Sequence, residues 1–252
     1  METDFIYWRH PSVPGIKIEE VSGGDISSGK TREEMALQLY CENGRDNYRE
    51  IGHYQNGAPF LYGEPTRISI THCSGLLVVA TLAPTPDIEL NEFNERTALG
   101  VDAERADRSQ VLGLRERFLS EAELAMIPPE DVSANVLAWT IKEAAYKAAL
   151  TEGLDFRRQI RITKMPKIGP AVPVFDPTEF GLPRGTKEIP ADFYGEVRIV
   201  TDCSRIDAGR KLKEDEGEAH EVILKVYSYM SDDCIVTLAY SSQSAVFSKS
   251  AG

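Results

Sequence analysis

The chain has 252 residues, 42% of them hydrophobic and 27% charged, which is ordinary for a folded globular protein with one large domain or two small ones. A formal net charge of −12 argues against a general binder of nucleic acid or anionic membranes, because the long-range field has the wrong sign. No apolar run approaches the length of a membrane span. The cysteines are scattered and METDFIYWRH lacks a secretory pattern, so we expect reduced thiols and a cytoplasmic location.

Helix and strand patterns alternate along the chain. A helix is predicted at 30–44, where Asn43-Gly44 ends the apolar spacing, and another over 109–126, before PPED. A third runs from about Asn135 to Thr151 and ends before Gly153. Strands are predicted at the apolar segments FIYW, IKIEEV, RISITH, LLVVATLA, LGVDAE, RRQIRIT, GEVRIVTD, EVILKVYSYM and CIVTLAYSS.

The polar, proline-marked segment 84–97 is predicted to be an exposed connection between two halves. Each half mixes helices with antiparallel strands, so the predicted fold class is α+β in two units, residues 1–98 and 99–252. The small residues Cys73-Ser74-Gly75 predict a tight corner between two strands. In the second unit, the charged segment RKLKEDEGEAH is predicted to be a solvated hairpin tip.

The helix AWTIKEAAYKAAL carries a glutamate among aromatic residues. At 100° per residue, Ile141 and the alanines form one apolar face, while Trp139 and Tyr146 lie on the opposite face together with Glu143. A helix that is apolar on two sides lies between layers, where an unpaired carboxylate costs several kcal/mol. The simplest partner is Lys147, in an i,i+4 pair.

The strand LGVDAE places two acids on one face. With a period of two, Asp102 and Glu104 share a side with Gly100, opposite Leu99 and Val101. Like charges on one face repel unless water or a cation bridges them, and Mg²⁺ prefers one or two carboxylates with water and phosphate oxygens. Alone, the D-x-E pair is common, and two solvated acids at a strand end are its simpler explanation.

Taken together, the two motifs carry a resemblance that neither carries alone. A strand ending G-V-D-x-E, followed by a helix with W-x-x-K-E-A-x-x-K, resembles the 4′-phosphopantetheinyl transferase superfamily, whose hallmark motifs are G-[VI]-D-x-E and [FW]-x-x-K-E-[AS]-x-x-K. Between them, RFLSEAE (117–123) is similar to the family's R-F-[FL]-S-x-x-E element. Upstream, ITHC (70–73) resembles its S-H-S element, and GAP (57–59) stands where G-K-P is frequent.

The resemblance implies a fold, an activity and ligands. The length of the chain and the presence of a half upstream of the motifs resemble the Sfp type, whose members are monomeric pseudo-dimers of two related α+β units. Members transfer the 4′-phosphopantetheine arm of coenzyme A to a serine of an apo acyl or peptidyl carrier protein, with Mg²⁺ (or Mn²⁺) as metal. We therefore expect a holo-carrier-protein synthase, with coenzyme A as co-substrate and without nucleic-acid or membrane partners.

The resemblance also assigns roles to the acidic residues. Asp102, Glu104 and Glu143 are implied as metal ligands, with pyrophosphate oxygens and water completing the shell. Lys147 is implied to stabilise phosphate charge rather than only to pair with Glu143. Glu123 is implied as a general base, directly or through water, and ranks below the other acids.

A further set of residues is implied to bind coenzyme A. His72 matches the family histidine that contacts a phosphate, and Thr71 with the backbone from Cys73 onward is placed to donate hydrogen bonds to phosphate. Lys30 and Arg32 resemble a basic cluster that grips the 3′-phosphate, although ordinary surface charge explains them equally well.

Departures from the family pattern keep other interpretations open. Ala58 replaces the lysine of G-K-P, a charge-assisted contact worth about 1.5–3 kcal/mol. Cys73 replaces the usual serine, and Ala103 stands where a larger aliphatic residue is common. The alternative is a non-catalytic relative that binds coenzyme A or a carrier protein. A third hypothesis, an unrelated Mg²⁺-dependent phosphotransferase, lacks a Walker-type glycine-rich loop to support it.

The acidity of the chain opposes an encounter with the acidic carrier proteins that such enzymes modify. Screening beyond about 8–10 Å limits this repulsion. We expect a local basic or apolar docking patch near the helix of the second unit, with Arg115, Arg117 and Lys142 as its candidates.

Overall fold

The structure is a computed structural model, and it describes residues 4–9, 16–22, 29–42, 50–84, 89–90, 93, 97–169, 172–173, 187–188, 193–202 and 219–241. The helices of these ranges are α1 (Gly29–Glu42), α2 (Arg115–Phe118), α3 (Glu121–Met126) and α4 (Val132–Ala149), with a 3-10 helix at Ser109–Leu114. The strands are β1 (Asp4–Arg9), β2 (Ile16–Ser22), β3 (Ile51–His53), β4 (Pro59–Leu61), β5 (Arg67–Cys73), β6 (Leu76–Leu82), β7 (Ala98–Arg105), β8 (Ile160–Lys164), β9 (Ile168–Gly169), β10 (Val172–Pro173), β11 (Lys187–Glu188), β12 (Gly195–Asp202), β13 (Ala219–Ser231) and β14 (Cys234–Ser241).

These strands form two sheets whose neighbours are antiparallel except at β1–β11 and β9–β13. The first sheet has the order β10-β11-β1-β2-β6-β5-β4-β3. The second has the order β7-β14-β13-β12-β8, and β9 pairs with β13. Mostly antiparallel sheets with packed helices confirm the predicted α+β class.

The hydrophobic core between the sheets contains buried residues from both sides of the predicted boundary at 98/99. One cluster of buried side chains joins Ile18 and Val78 of the first sheet to Val101 and Val236 of the second. Phe93 belongs to the same cluster and is 2% exposed, so segment 84–97 is not the wholly exposed connection that its polarity predicted. Strands β10 and β11, from the predicted second unit, belong to the first sheet. The division into two related units therefore stays a prediction.

The predicted helix over 109–126 is wrong as a single element. Leu119 and Ser120 adopt extended backbone between α2 and α3, and a 3-10 helix precedes them. Ser120 caps α3 in a reciprocal capping box with Glu123, which starts a new helix where periodicity alone indicated continuation.

Helix α4 was predicted well in its interior and less well at its ends. It begins earlier than predicted, because the Asp131 side chain caps it by accepting from the backbone N–H of Ala134 at 2.9 Å. It ends at Leu150, whose φ of 51° is left-handed, before Gly153. The face with Ile141 is buried, as predicted.

The corner between β5 and β6 is the tight turn that its small residues predicted. Ser74 and Gly75 both have positive φ, 47° and 87°, as a two-residue hairpin turn requires. Most of the segment RKLKEDEGEAH lies outside the described residues, so its predicted hairpin tip stays a prediction.

Candidate functional site

Gly100 lets helix α4 approach strand β7 closely. A Cβ atom at this position would lie 2.0 Å from the carbonyl oxygen of Ala144 and 2.6 Å from the backbone nitrogen of Ala148. Only a residue without a side chain fits there. The face of β7 that packs on α4 is therefore the one that carries Gly100, Asp102 and Glu104, as the strand's period of two predicted.

Asp102 is buried at this contact. Its Oδ1 accepts hydrogen bonds from Lys147 Nζ at 2.7 Å and from Thr71 Oγ1 at 3.3 Å. Its Oδ2 is also buried and has no hydrogen-bond partner within the described ranges. Burial raises the pKa of Asp102, and the Lys147 ammonium and the Thr71 hydrogen bond oppose this rise. One oxygen of this carboxylate is thus left in need of a further positive partner.

Lys147 forms an ion pair with strand β7 and not with Glu143 of its own helix. Its Nζ donates to Asp102 and also to the carbonyl oxygen of Val101, at 3.0 Å. Its side chain is 32% exposed, so the ammonium keeps access to solvent. The simple i,i+4 pair with Glu143 is therefore replaced by a contact between α4 and β7.

Glu143 lies half-buried beside these groups. No hydrogen bond or ion pair holds its carboxylate in the part of the chain that the structure describes. Burial and then the charge of Asp102 raise the pKa of Glu143 to about 7, with a smaller rise from Glu104, while Lys147 and Arg108 oppose the shift. The three acids predicted as metal ligands therefore lie within electrostatic reach of one another.

Glu104 is held by a residue that the sequence analysis missed. The Arg108 guanidinium donates to Glu104 Oε1, and it also lies 5.9 Å from the ring centroid of Trp139. Burial raises the pKa of Glu104, and the charge of Arg108 opposes this. Residues 104 and 108 flank a strand end and a turn, so helical spacing could not signal this pair.

The donor chemistry of the three acids fits a hard divalent cation. Oxygen ligands suit Mg²⁺, and among the described residues the Oδ2 atom of Asp102 has no hydrogen-bond partner and the Glu143 carboxylate has neither a hydrogen bond nor an ion pair. Among the described residues, however, no group of three or more His, Cys, Asp or Glu side chains stands ready to hold a metal ion. Lys147 and Arg108 neutralise two of the acids, so a cation shared by all three would replace these contacts.

His72 lies within electrostatic reach of two basic residues, Arg32 from the first predicted unit and Lys147 from the second. The pKa of His72 is lowered, first by burial and then by the charges of Arg32 and Lys147, and Asp102 opposes the shift. The direction of this shift disfavours the cationic imidazole in the ligand-free chain, and the predicted phosphate contact of His72 stays a prediction. An anion bound between these residues would raise the pKa of His72 again.

The other residues predicted to bind coenzyme A differ in their placement. The Thr71 hydroxyl donates to Asp102, so it orients a predicted metal ligand. The Cys73 thiol is buried against Cys234, with 2.7 Å between the sulfurs, and the predicted phosphate contact of the backbone around Cys73 to Gly75 stays a prediction. Lys30 lies in α1, with a side chain outside the described structure.

A groove of about 200 Å³ lies next to Lys147, between the β3–β4 turn and the end of α4. Asn56 of this turn donates from Nδ2 to the carbonyl oxygen of Leu150 at 2.8 Å, which ties the turn to the helix. Ala58 lines the groove, so the charge of the family lysine is absent from its wall. Sequence reasoning missed Asn56, since its partner is remote in the chain.

Glu123 lies in a different place, in a buried ion pair with Lys142. The Lys142 Nζ donates to Glu123 Oε2 at 2.7 Å, and the two side chains are 0% and 2% exposed. The network is completed by the carbonyl oxygens of Phe156 and Ile160, which accept from Lys142, and by the backbone N–H groups of Ser120 and Ile162, which donate to Glu123. Both oxygens of Glu123 accept hydrogen bonds in this network, and its role as a general base, directly or through water, stays a prediction.

The same geometry corrects the predicted docking patch. Lys142 is fully buried and cannot contact a partner. Arg115 donates to Asn135 Oδ1 and to the carbonyl oxygen of Ile127, both at 2.6 Å, so it holds α2 to its surroundings. Arg117 is exposed and remains the candidate of the three.

Residues 98–192 match the model of a protein family described as the 4′-phosphopantetheinyl transferase superfamily. The matched region contains β7 and α4, and therefore Asp102, Glu104, Glu143 and Lys147. The match supports the predicted resemblance at the level of the superfamily. No curated protein matches the chain. In the described structure, every helix is too short or too polar to cross a membrane.

Proposed function

We propose that this protein is a monomeric, cytoplasmic phosphopantetheinyl transferase of the Sfp type. It moves the 4′-phosphopantetheine arm of coenzyme A to a serine hydroxyl of an apo acyl or peptidyl carrier protein. The observation that carries the proposal is the buried Oδ2 of Asp102, which lacks a hydrogen bond among the described residues, in a carboxylate whose Oδ1 accepts from Lys147, a residue that lines the groove. The superfamily match over residues 98–192 supports the same reaction class.

Asp102 and Glu143 are the residues that we expect to hold Mg²⁺, with Glu104 joining them if Arg108 releases it. A bound divalent cation would neutralise charge on the pyrophosphate oxygens during transfer. Metal binding would also offset the burial and the neighbouring negative charge of Asp102, which together raise the pKa of Glu143 to about 7.

Lys147 is the residue that we expect to carry charge to the reacting phosphate. Its ammonium lies at the rim of the groove and is partly exposed, so it can exchange Asp102 for a phosphate oxygen. A positive group fixed where negative charge develops lowers the barrier without reorganising solvent. Thr71 orients Asp102, while His72 and Arg32 add donors and charge on the same side.

Coenzyme A would lie along the groove with only part of its length enclosed. The volume of about 200 Å³ is below the roughly 300–1,000 Å³ of typical enclosed ligand sites. Because Ala58 contributes no charge to the wall, we expect phosphate binding to depend on Lys147, His72 and Arg32.

The test is an intact-mass assay on a panel of apo carrier proteins with coenzyme A and Mg²⁺. We expect one carrier to gain the mass of the phosphopantetheine arm, and the gain to disappear with excess chelator. Glu143→Gln should abolish most of the transfer, while Glu121→Gln, at an exposed acid of α3, should leave it unchanged. No mass gain on any carrier would contradict the proposal.

The second candidate function is binding without transfer, and Ala58 in the groove is the observation that favours it. Calorimetric titration with coenzyme A separates the two. Tight binding together with an absence of carrier modification would establish the non-catalytic relative.

A further inference from the structure

Two buried thiols touch where the two sheets meet. Cys73 ends β5 of the first sheet, and Cys234 begins β14 of the second. Their sulfur atoms lie 2.7 Å apart, and the Cys234 sulfur lies 3.8 Å from the carbonyl oxygen of Cys73. Both are free cysteines, 7% and 0% exposed.

The backbone on both sides of this contact is fixed by regular strand pairing. Cys73 pairs with Leu76 across the tight turn of the β5–β6 hairpin. Cys234 pairs with Arg105 of β7 and with Ser231 of β13. Because two sheets place the sulfurs, covalent bonding between them requires only a small local movement.

We propose that Cys73 and Cys234 form an oxidation site that closes to an intramolecular disulfide, with hydrogen peroxide as the oxidant. In the first step, the Cys73 thiolate attacks a peroxide oxygen, which gives a sulfenic acid and hydroxide. In the second, the Cys234 sulfur attacks the sulfur of the sulfenic acid, the S–S bond forms, and the hydroxyl leaves as water with the Cys234 proton. Overall, two thiols lose two electrons and two protons, and one peroxide is reduced to two waters.

The order of these steps follows from the surroundings of each thiol. A hydrogen bond from Cys234 lowers the pKa of Cys73, with burial opposing it, while Cys73 and burial raise the pKa of Cys234. The thiolate is the reactive form, so Cys73 is the first target. Its small exposure also limits access to a small oxidant.

The bond would join positions 161 residues apart and so tie the first sheet covalently to the second. A disulfide that closes a long loop restricts the unfolded chain strongly, which raises resistance to denaturant. This inference is independent of the proposed transfer reaction, because it needs neither coenzyme A nor a metal.

The test uses the full chain with Cys41→Ser and Cys203→Ser, so that Cys73 and Cys234 are the two cysteines that remain. The protein is treated with hydrogen peroxide, unfolded, alkylated and digested for mass spectrometry. We expect a peptide pair linked through Cys73 and Cys234 that dithiothreitol separates, and loss of both alkylated thiols. We also expect the urea midpoint to rise by about 1 M on oxidation.

Cys234→Ala in the same background is the matched control. It should show no linked peptides and no midpoint shift with peroxide. The inference is overturned if the oxidised parent still alkylates at both cysteines, or if Cys73 accumulates sulfinic acid without a linked peptide. The linked peptide is measured in the parent protein, which keeps both Cys73 and Cys234. Failure of the control variant to fold would therefore not affect the result.

Discussion

Helix α4 carries two lysines, Lys142 and Lys147, and each contacts a carboxylate at 2.7 Å in a different environment. Lys142 is 0% exposed and contacts Glu123 together with two carbonyl oxygens, so the pair is saturated with hydrogen bonds. Lys147 is 32% exposed, and the acid that it contacts, Asp102, keeps one buried oxygen without a partner.

The difference separates a structural ion pair from a candidate functional one. The distance and the pairing of an ammonium with a carboxylate are the same in both pairs, so neither identifies the site. The site is identified by whether every buried polar atom of the pair has a hydrogen-bond partner. A buried polar atom without a partner costs stability, and it is retained where a ligand completes its hydrogen bonds. Solvent access adds the second criterion, since a ligand has to reach the charge.

The largest expected effect is on stability, at the saturated pair. Lys142→Met would leave the Glu123 carboxylate buried and uncompensated, and we expect the free energy of unfolding to fall by about 3–5 kcal/mol. Lys147→Met should lower it by less, about 1–2 kcal/mol, because the ammonium is partly exposed although the Asp102 carboxylate that it leaves behind is buried. Urea denaturation followed by circular dichroism measures both.

A double variant keeps this prediction testable if Lys142→Met does not fold. Adding Glu123→Leu removes both buried charges and should restore part of the lost stability. Equal losses in the free energy of unfolding for Lys142→Met and Lys147→Met would contradict the distinction between a structural and a functional ion pair.

The next effect is on transfer, at the unsaturated pair. Lys147→Met should lower the rate of carrier modification by about 100-fold or more, because charge on the leaving phosphate loses its positive partner. The stability of this variant should fall by less than that of Lys142→Met. A large stability loss with little change in rate would instead assign Lys147 to the same structural class as Lys142.

A smaller effect concerns the pH dependence of stability in the metal-free protein. The folded pKa of Glu143, about 7, exceeds the unfolded value of 4.5, so the folded state binds more protons between these pH values. The free energy of unfolding therefore falls as pH rises through this window. Allowing for its partial exposure, Glu143→Gln should be about 1–2 kcal/mol more stable than the parent at pH 8, and equal to it near pH 4.

Urea denaturation in chelator at the two pH values measures this difference. Magnesium should then raise the midpoint of the parent at pH 8 more than that of Glu143→Gln. A difference of the same size at both pH values would show that Glu143 acts through packing.

The smallest effect is expected at the surface. Arg117→Glu should raise the KM for an acidic carrier by about 3–10-fold without changing the rate at saturation, because an exposed charge mainly affects encounter. Arg157→Glu, at another exposed arginine of the second unit, is the control. The effect should weaken as salt rises. Equal changes in both variants would exclude a docking role specific to Arg117.

Much of the site was predictable because its motifs are local. The period of two in LGVDAE put both acids on one face of β7, and helical spacing put Glu143 on the aromatic side of α4. The role of Glu123 was not predictable in this way. A capping box with Ser120 fixed it locally, but the buried lysine and strand β8 that saturate it lie far along the chain.

Local sequence patterns specify the strand and the helix that carry the acids and lysines, since periodicity and capping act over a few residues. Tertiary packing sets which lysine meets which acid, because this depends on how closely α4 packs on β7 at Gly100. It also brought Cys73 to Cys234 and turned Thr71 toward Asp102, contacts between strands of different sheets that no local pattern encodes. Short-range preferences fix elements, whereas close packing of remote elements fixes the partners of buried charges.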